Sequence, residues 1–294
     1  MTDRFEADRQ KIETRLEQIC ESYFSGIASE IADAIRYGLK SPGKRLRPLL
    51  LLYAYRAAGG SKDASLLACA PEVVHSYSLM HDDLPCMDDD DMRRGRPTVH
   101  KVYGSKMAIL GGIAMIPLAA IVVRNAVSEM GLPTEVGRAI LETLLRGGGV
   151  RGMIGGQQRD LAAEGLSLAI EEREAIHSAK TGALIAGSLR MGGLAAGSDT
   201  GQLDALERFG RDIGLAFQIM DDVLDVTSTT SALGKTTGRD AVLGKSTYPA
   251  LLGVDGAQRR AQTLIDDGLN GLQTRGLLTQ ELSQVANFIV TRTS

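Results

Sequence analysis

Two short stretches concentrate carboxylates at spacings suited to metal chemistry: Asp82 and Asp83 with Asp88 in SLMHDDLPCMDDDDMRRGRPT, and Asp221 and Asp222 with Asp225 in AFQIMDDVLD. Mg²⁺ favours carboxylate oxygens combined with phosphate oxygens and retained waters, so a pair of such clusters suits a magnesium diphosphate. An acidic run such as Asp88 to Asp91 is often a merely solvated loop. The second cluster argues against that reading, because its carboxylates sit beside the apolar Phe217, Ile219 and Met220 and would repel one another without a cation. Cations are also supplied, by Gly43-Lys44-Arg45-Leu46-Arg47-Pro48 and by Arg93-Arg94. Arginine offers a planar fork of donors and lysine a mobile point charge, a mixture that fits a second, metal-free diphosphate.

These groups need rigid carriers. Asp221 and Asp225 are four residues apart, which puts them on one helix face about 6 Å apart in rise. Pro85 disfavours helix continuation, so a helix is expected to end near Asp82 and Asp83, with Asp88 on a turn that folds back. Apolar residues recur at helical spacing in Ile12/Leu16/Ile19, Leu66/Ala70/Val73/Val74 and Leu203/Leu206/Phe209/Ile213. Breaks are expected at Ser41-Pro42-Gly43, Ala58-Gly59-Gly60, Gly131-Leu132-Pro133, Gly192-Gly193 and from Thr227 to Gly244.

Composition agrees with an all-α chain. The hydrophobic fraction of 44% can fill a large core, whereas aromatics make up 4% and Trp is absent, too little aromatic alternation for a sandwich or barrel. No Pro/Ser-rich or single-charge linker divides the sequence, so residues 1–294 read as one all-helical domain. The net charge of −3 gives no sequence-wide basic footprint for nucleic acid. Cys20, Cys69 and Cys86 have no metal spacing and cannot all pair, which suits reduced thiols in the cytoplasm. The charged N-terminus lacks the apolar segment of a secretory signal. The uncharged run from Met107 to Val123 contains Gly111, Gly112 and Pro117 and falls short of a typical membrane span, so a buried core helix is expected there.

The ordered set GKRLRP, HDDLPCMDDDDMRRG, GGQQRDL, KTG, FQIMDDVLD and GKSTYP resembles the trans-prenyltransferase family over nearly the whole chain, and most resembles its bacterial farnesyl and geranylgeranyl diphosphate synthases. The resemblance implies an isoprenoid synthase-type helical bundle around a central cavity, usually a homodimer, with the aspartate motifs facing each other. It also implies roles. Asp82, Asp88 and Asp221 would be principal Mg²⁺ ligands, with Asp83, Asp222 and Asp225 as ligands or supporting partners. Arg93, Lys180 and Lys235 would hold the allylic diphosphate, and Lys44, Arg47, His75 and Arg94 isopentenyl diphosphate. Gln218 and Thr181 would line the reacting end, with Lys245 a further phosphate contact. Of the remaining histidines, His81 reads as a helix-end residue, while His100 and His177 read equally as structural or functional.

In such a family the growing chain runs down an apolar channel, whose floor bulky residues four or five positions before the first aspartate can form. Those positions are Ser78 and Tyr77 here. Tyr77 lies roughly 7 to 8 Å down the helix axis from Asp82, so its ring must lean inward to block the channel. An aromatic floor favours the fifteen-carbon product, farnesyl diphosphate, over geranylgeranyl diphosphate. One departure is Gly112-Ile113 where the family commonly has Gly-Asp, together with Ser105 at a usually acidic position, which implies altered support near the cavity.

Other functions fit less well. A terpene cyclase normally mixes Asn/Asp, Ser/Thr and Glu in its second metal motif. A non-catalytic partner subunit typically loses an aspartate motif, and neither is lost. The GKT at Gly234 and GKS at Gly244 lack the earlier glycine of a phosphate-binding loop, Thr229 and Arg239 standing there instead.

Overall fold

The computed structural model describes residues 3–163, 165, 166, 168–227 and 247–292. Among them the chain is helical apart from one two-stranded hairpin. The chain packs as two compact units, Met1–Leu52 with Ser61–Leu141 and Tyr53–Gly60 with Glu142–Ser294.

The first unit carries α1 (Asp3–Phe24), α2 (Glu30–Leu39), most of α3 (Leu46–Ala57), α4 (Ser65–Asp82), α5 (Val99–Tyr103), α6 (Ser105–Met130) and the start of α7 (Thr134–Gly148). Helix α4 ends where Pro85 was expected to end it, and Asp83 caps it through backbone bonds to Leu79 and His81 carbonyls. Helix α6 is long and apolar enough to cross a membrane by length and composition alone. Its buried stripe, Gly111, Met115, Leu118, Val122 and Ala126, instead forms core with α4, as expected of a core helix. The opposite side leaves Ile109, Leu110 and Ile113 exposed.

Strands β1 (Met92–Arg93) and β2 (Arg96–Pro97) pair antiparallel, an element the sequence pattern did not announce. The turn between them takes Arg94 at φ 53° and Gly95 at φ 74°. Positive φ at both central residues matches the right-handed twist of a tight hairpin, which glycine permits and arginine tolerates at a cost.

The second unit carries the rest of α7, then α8 (Met153–Ala162), α9 (Ile170–His177), α10 (Ala183–Ala196), α11 (Thr200–Thr227), α12 (Tyr248–Gln273) and α13 (Gln280–Thr291). A single π-helical turn, Ser178–Gly182, joins α9 to α10. The break expected at Gly192-Gly193 does not occur: α10 runs through it and stops at Gly197, φ 82°. Gly193 is a contact residue, since a Cβ there would stand 2.6 Å from Leu206 Cδ1 of α11. Its lost helix propensity, about 1 kcal/mol, is offset by close packing of two long helices.

Candidate active site

In the first unit a loop, a helix and the hairpin bring cations together. Within GKRLRP the three basic residues diverge. Arg45 is buried and holds Glu72 at 2.8 Å while donating to the Ser41 carbonyl, so it fixes the loop. Lys44 is exposed on that loop. Arg47 lies in the first turn of α3, and its Nε is buried with no hydrogen-bond partner among the described residues. Burial pulls the Arg47 guanidinium down to about 10, with Glu72 opposing and Arg94 reinforcing the shift. Arg94, aimed by the hairpin turn, donates to the Pro42 carbonyl at 2.8 Å and crosses Gly43, where any Cβ would strike its guanidinium.

His75, on α4, faces the same charges. Burial and then the positive charges of Arg47, Arg94, Arg93 and Arg45 hold it well below the ordinary imidazole range, so it is neutral at pH 7. A patch whose guanidiniums depress one another and leave a buried donor unfilled is organised for an anion.

The first aspartate cluster adjoins it. The Asp88 amide returns to the Asp82 carbonyl at 2.8 Å, which closes the expected turn. Asp83 is buried and accepts from Arg93 Nε, while Arg93 Nη2 reaches Asp90 at 3.3 Å. Burial raises the Asp83 carboxyl to about 6 against the pull of Arg93, and the charges of Asp90 and Asp88 push the same way as burial. A cation added here would relieve that crowding, and an all-carboxylate donor set suits Mg²⁺. Among the described residues, the trio whose ligand atoms lie within 4.8 Å of one another is a neighbouring one, Asp89, Asp91 and His100. Two of its members are already engaged: Lys101 pairs with Asp91 at 2.9 Å, and His100 Nδ1 contacts Thr98 Oγ1 at 3.0 Å.

Tyr77 is buried and meets the His81 ring edge-on at 5.4 Å. Burial, and then the charge of Asp82, pushes its hydroxyl up to about 12. Ser78 turns its hydroxyl back to the His75 carbonyl at 2.9 Å. Ile113 is 53% exposed, so the departure from the family at this position lies on the outward face of α6 and not in packed support.

In the second unit the π-turn supplies Lys180 and Thr181. It lies close against α11 because Gly214 is bare: a Cβ there would sit 2.7 Å from the Gly182 Cα. That approach lets Thr181 Oγ1 donate to Gln218 Oε1 at 2.5 Å. Lys180 Nζ is held 2.7 Å from Asp160 of α8. Asp160 lies in the GGQQRDL stretch, yet sequence reasoning gave it no role, since a lone aspartate on a helix does not announce a partner twenty residues away.

Asp221 and Asp225 are both partly exposed on α11, and Asp222 between them is buried. Asp222 Oδ2 accepts from the Tyr248 amide at 3.1 Å, so it anchors the start of α12 and supports its neighbours. Asp221 Oδ1 accepts from Arg292 Nη2 at 2.6 Å, a contact no sequence signal marked. Lys235 and Lys245 lie outside the described residues.

A family model described as Polyprenyl synthetase matches residues 28–276. The chain is 44% identical over 271 residues to a farnesyl diphosphate synthase of Escherichia coli, covering 89% of each. It is 44% identical over 238 residues to geranylgeranyl pyrophosphate synthase 9, chloroplastic, of Arabidopsis thaliana, covering 80% of this chain and 66% of that one. Among solved structures, a Helicobacter pylori geranyltransferase complexed with magnesium and isoprenyl diphosphate matches with TM-score 0.82 and 32% identity, over 99% of this chain and 97% of that one.

Proposed function

This chain belongs to the polyprenyl synthetase family and is a short-chain trans-prenyl diphosphate synthase, and from that premise we propose that it is Mg²⁺-dependent and makes chiefly farnesyl diphosphate. The observation that carries the reading is the division of labour within the first unit. A crowded carboxylate turn at Asp82, Asp83 and Asp88 adjoins a separate guanidinium patch at Arg47 and Arg94. The first suits a metal-bound diphosphate and the second a metal-free one, which is what joining an allylic diphosphate to isopentenyl diphosphate requires.

Mg²⁺, when bound, neutralises the charge that develops on the departing diphosphate. Arg93 exchanges its carboxylate partners for phosphate oxygens of the allylic substrate, a role that the family resemblance also gives to Lys180 and Lys235, with Lys245 a further phosphate contact. The allylic C–O bond then ionises. Lys44, Arg47, Arg94 and neutral His75 fix isopentenyl diphosphate so that its double bond attacks the cation. Thr181 and Gln218 present oxygens toward the reacting end, where lone pairs stabilise positive charge. The released diphosphate takes the proton.

Tyr77 limits the product to fifteen carbons by closing the floor of the chain channel; its support is a buried ring set edge-on against His81, five residues before Asp82 on α4. Tyr77→Ala is expected to shift the main product from farnesyl to geranylgeranyl diphosphate, read by chromatography of dephosphorylated products. An active variant with an unchanged profile removes Tyr77 from the argument. A homodimer belongs to the same proposal, supported by the exposed apolar Ile109, Leu110 and Ile113 on α6, which a second copy would cover. The free thiols of Cys20, Cys69 and Cys86 support a reducing, cytoplasmic setting.

A further inference from the structure

Phe217 and Asp221 are four residues apart and stack on one face of α11, and a single side chain engages both. Arg292 follows the last residue of α13. Its Nη2 donates to the Phe217 carbonyl at 2.9 Å and to Asp221 Oδ1 at 2.6 Å, and its guanidinium carbon lies 3.9 Å from the Phe217 ring centroid. The Arg292 side chain is 3% exposed and its Asp221 partner 38%. Its Nε is buried with no partner among the described residues, so the guanidinium is held firmly but is incompletely satisfied.

We propose that Arg292 is an internal cation that alternates with a divalent ion at Asp221, and that it thereby sets the metal affinity of the second aspartate cluster and couples metal binding to the docking of α13. The inference rests on the reading of that cluster as a Mg²⁺ site. The Asp221 oxygen that accepts from Arg292 is one a metal would use, and an ion coordinated there at about 2 Å would stand roughly 4 to 5 Å from the guanidinium. Repulsion between a dication and a buried guanidinium at that range outweighs the benefit of a pre-oriented carboxylate. Arg292 therefore leaves Asp221 when the ion arrives, and the end of α13 loses its anchor on α11. In the metal-free protein the same contact keeps the Asp221 charge compensated beside Asp225.

Calorimetric titration with Mg²⁺ in the presence of inorganic diphosphate tests this on the wild type, Arg292→Gln and Arg292→Lys. Removing the charge is expected to tighten Mg²⁺ binding roughly tenfold, whereas the lysine variant keeps a cation over Phe217 and stays within about threefold of the wild type. Hydrogen exchange on the wild type supplies a reading free of any folding defect: amides of residues 280–292 exchange faster once Mg²⁺ and diphosphate are added. Unchanged or weaker Mg²⁺ binding in a folded Arg292→Gln variant overturns the inference, as does unaltered exchange in a wild type that binds the ion. A wild type that binds no Mg²⁺ fails earlier, at the metal reading of the cluster, and takes the inference with it.

Discussion

Asp221→Asn is expected to lower kcat by about a thousandfold or more at saturating Mg²⁺, while the thermal midpoint stays near that of the wild type. Asparagine keeps the shape of aspartate, and its amide oxygen can still accept from Arg292 Nη2, so the contact between α11 and α13 survives. What is lost is a full negative charge at a Mg²⁺ position where the departing diphosphate develops its own. Metal stabilisation of such charge is worth several kcal/mol, and each 1.4 kcal/mol or so is a factor of ten in rate. Steady-state kinetics beside circular-dichroism melting separate the two effects. A folded variant with kcat within tenfold of the wild type would contradict a metal role for Asp221.

Arg47→Gln should act on one substrate only. The KM for isopentenyl diphosphate is expected to rise by about 10- to 100-fold, with the KM for the allylic partner changed by less than about threefold, because a hydrogen bond to a charged group contributes ~1.5–3 kcal/mol. The sign of the accompanying stability effect distinguishes this role from a structural one. Burial lowers the Arg47 guanidinium to about 10, which leaves it charged at neutral pH but makes that charge unfavourable for the fold. Loss of the charge should therefore leave the thermal midpoint unchanged or higher. An equal rise in both KM values with a lowered midpoint would assign Arg47 to scaffolding.

Much of this was legible in sequence because the relevant signals are local. Pro85 stops α4 at the first aspartates, and the four-residue step from Asp221 to Asp225 fixes their common face. The apolar run around Gly111 becomes the core helix α6. What escaped depends on partners distant in sequence. Gly192-Gly193 reads as a break by propensity, but the facing Leu206 turns it into a packing seam. Arg45 and Arg47 look equivalent in GKRLRP, and only Glu72, 27 residues beyond Arg45, commits the former to structure. Asp222 resembles its neighbours until the Tyr248 amide claims it, and Arg292 lies 71 residues from Asp221 with no motif to flag it. Periodicity reports which face is buried, not which polar groups will find each other there.

Prenyl transfer by this chain is tested most directly by incubating the purified protein with isopentenyl diphosphate and dimethylallyl, geranyl or farnesyl diphosphate, with and without Mg²⁺, followed by chromatography of the products. Mg²⁺-dependent elongation that accumulates the fifteen-carbon farnesyl diphosphate is expected. Turnover without the metal, or no elongation from any of the three allylic partners, would contradict it.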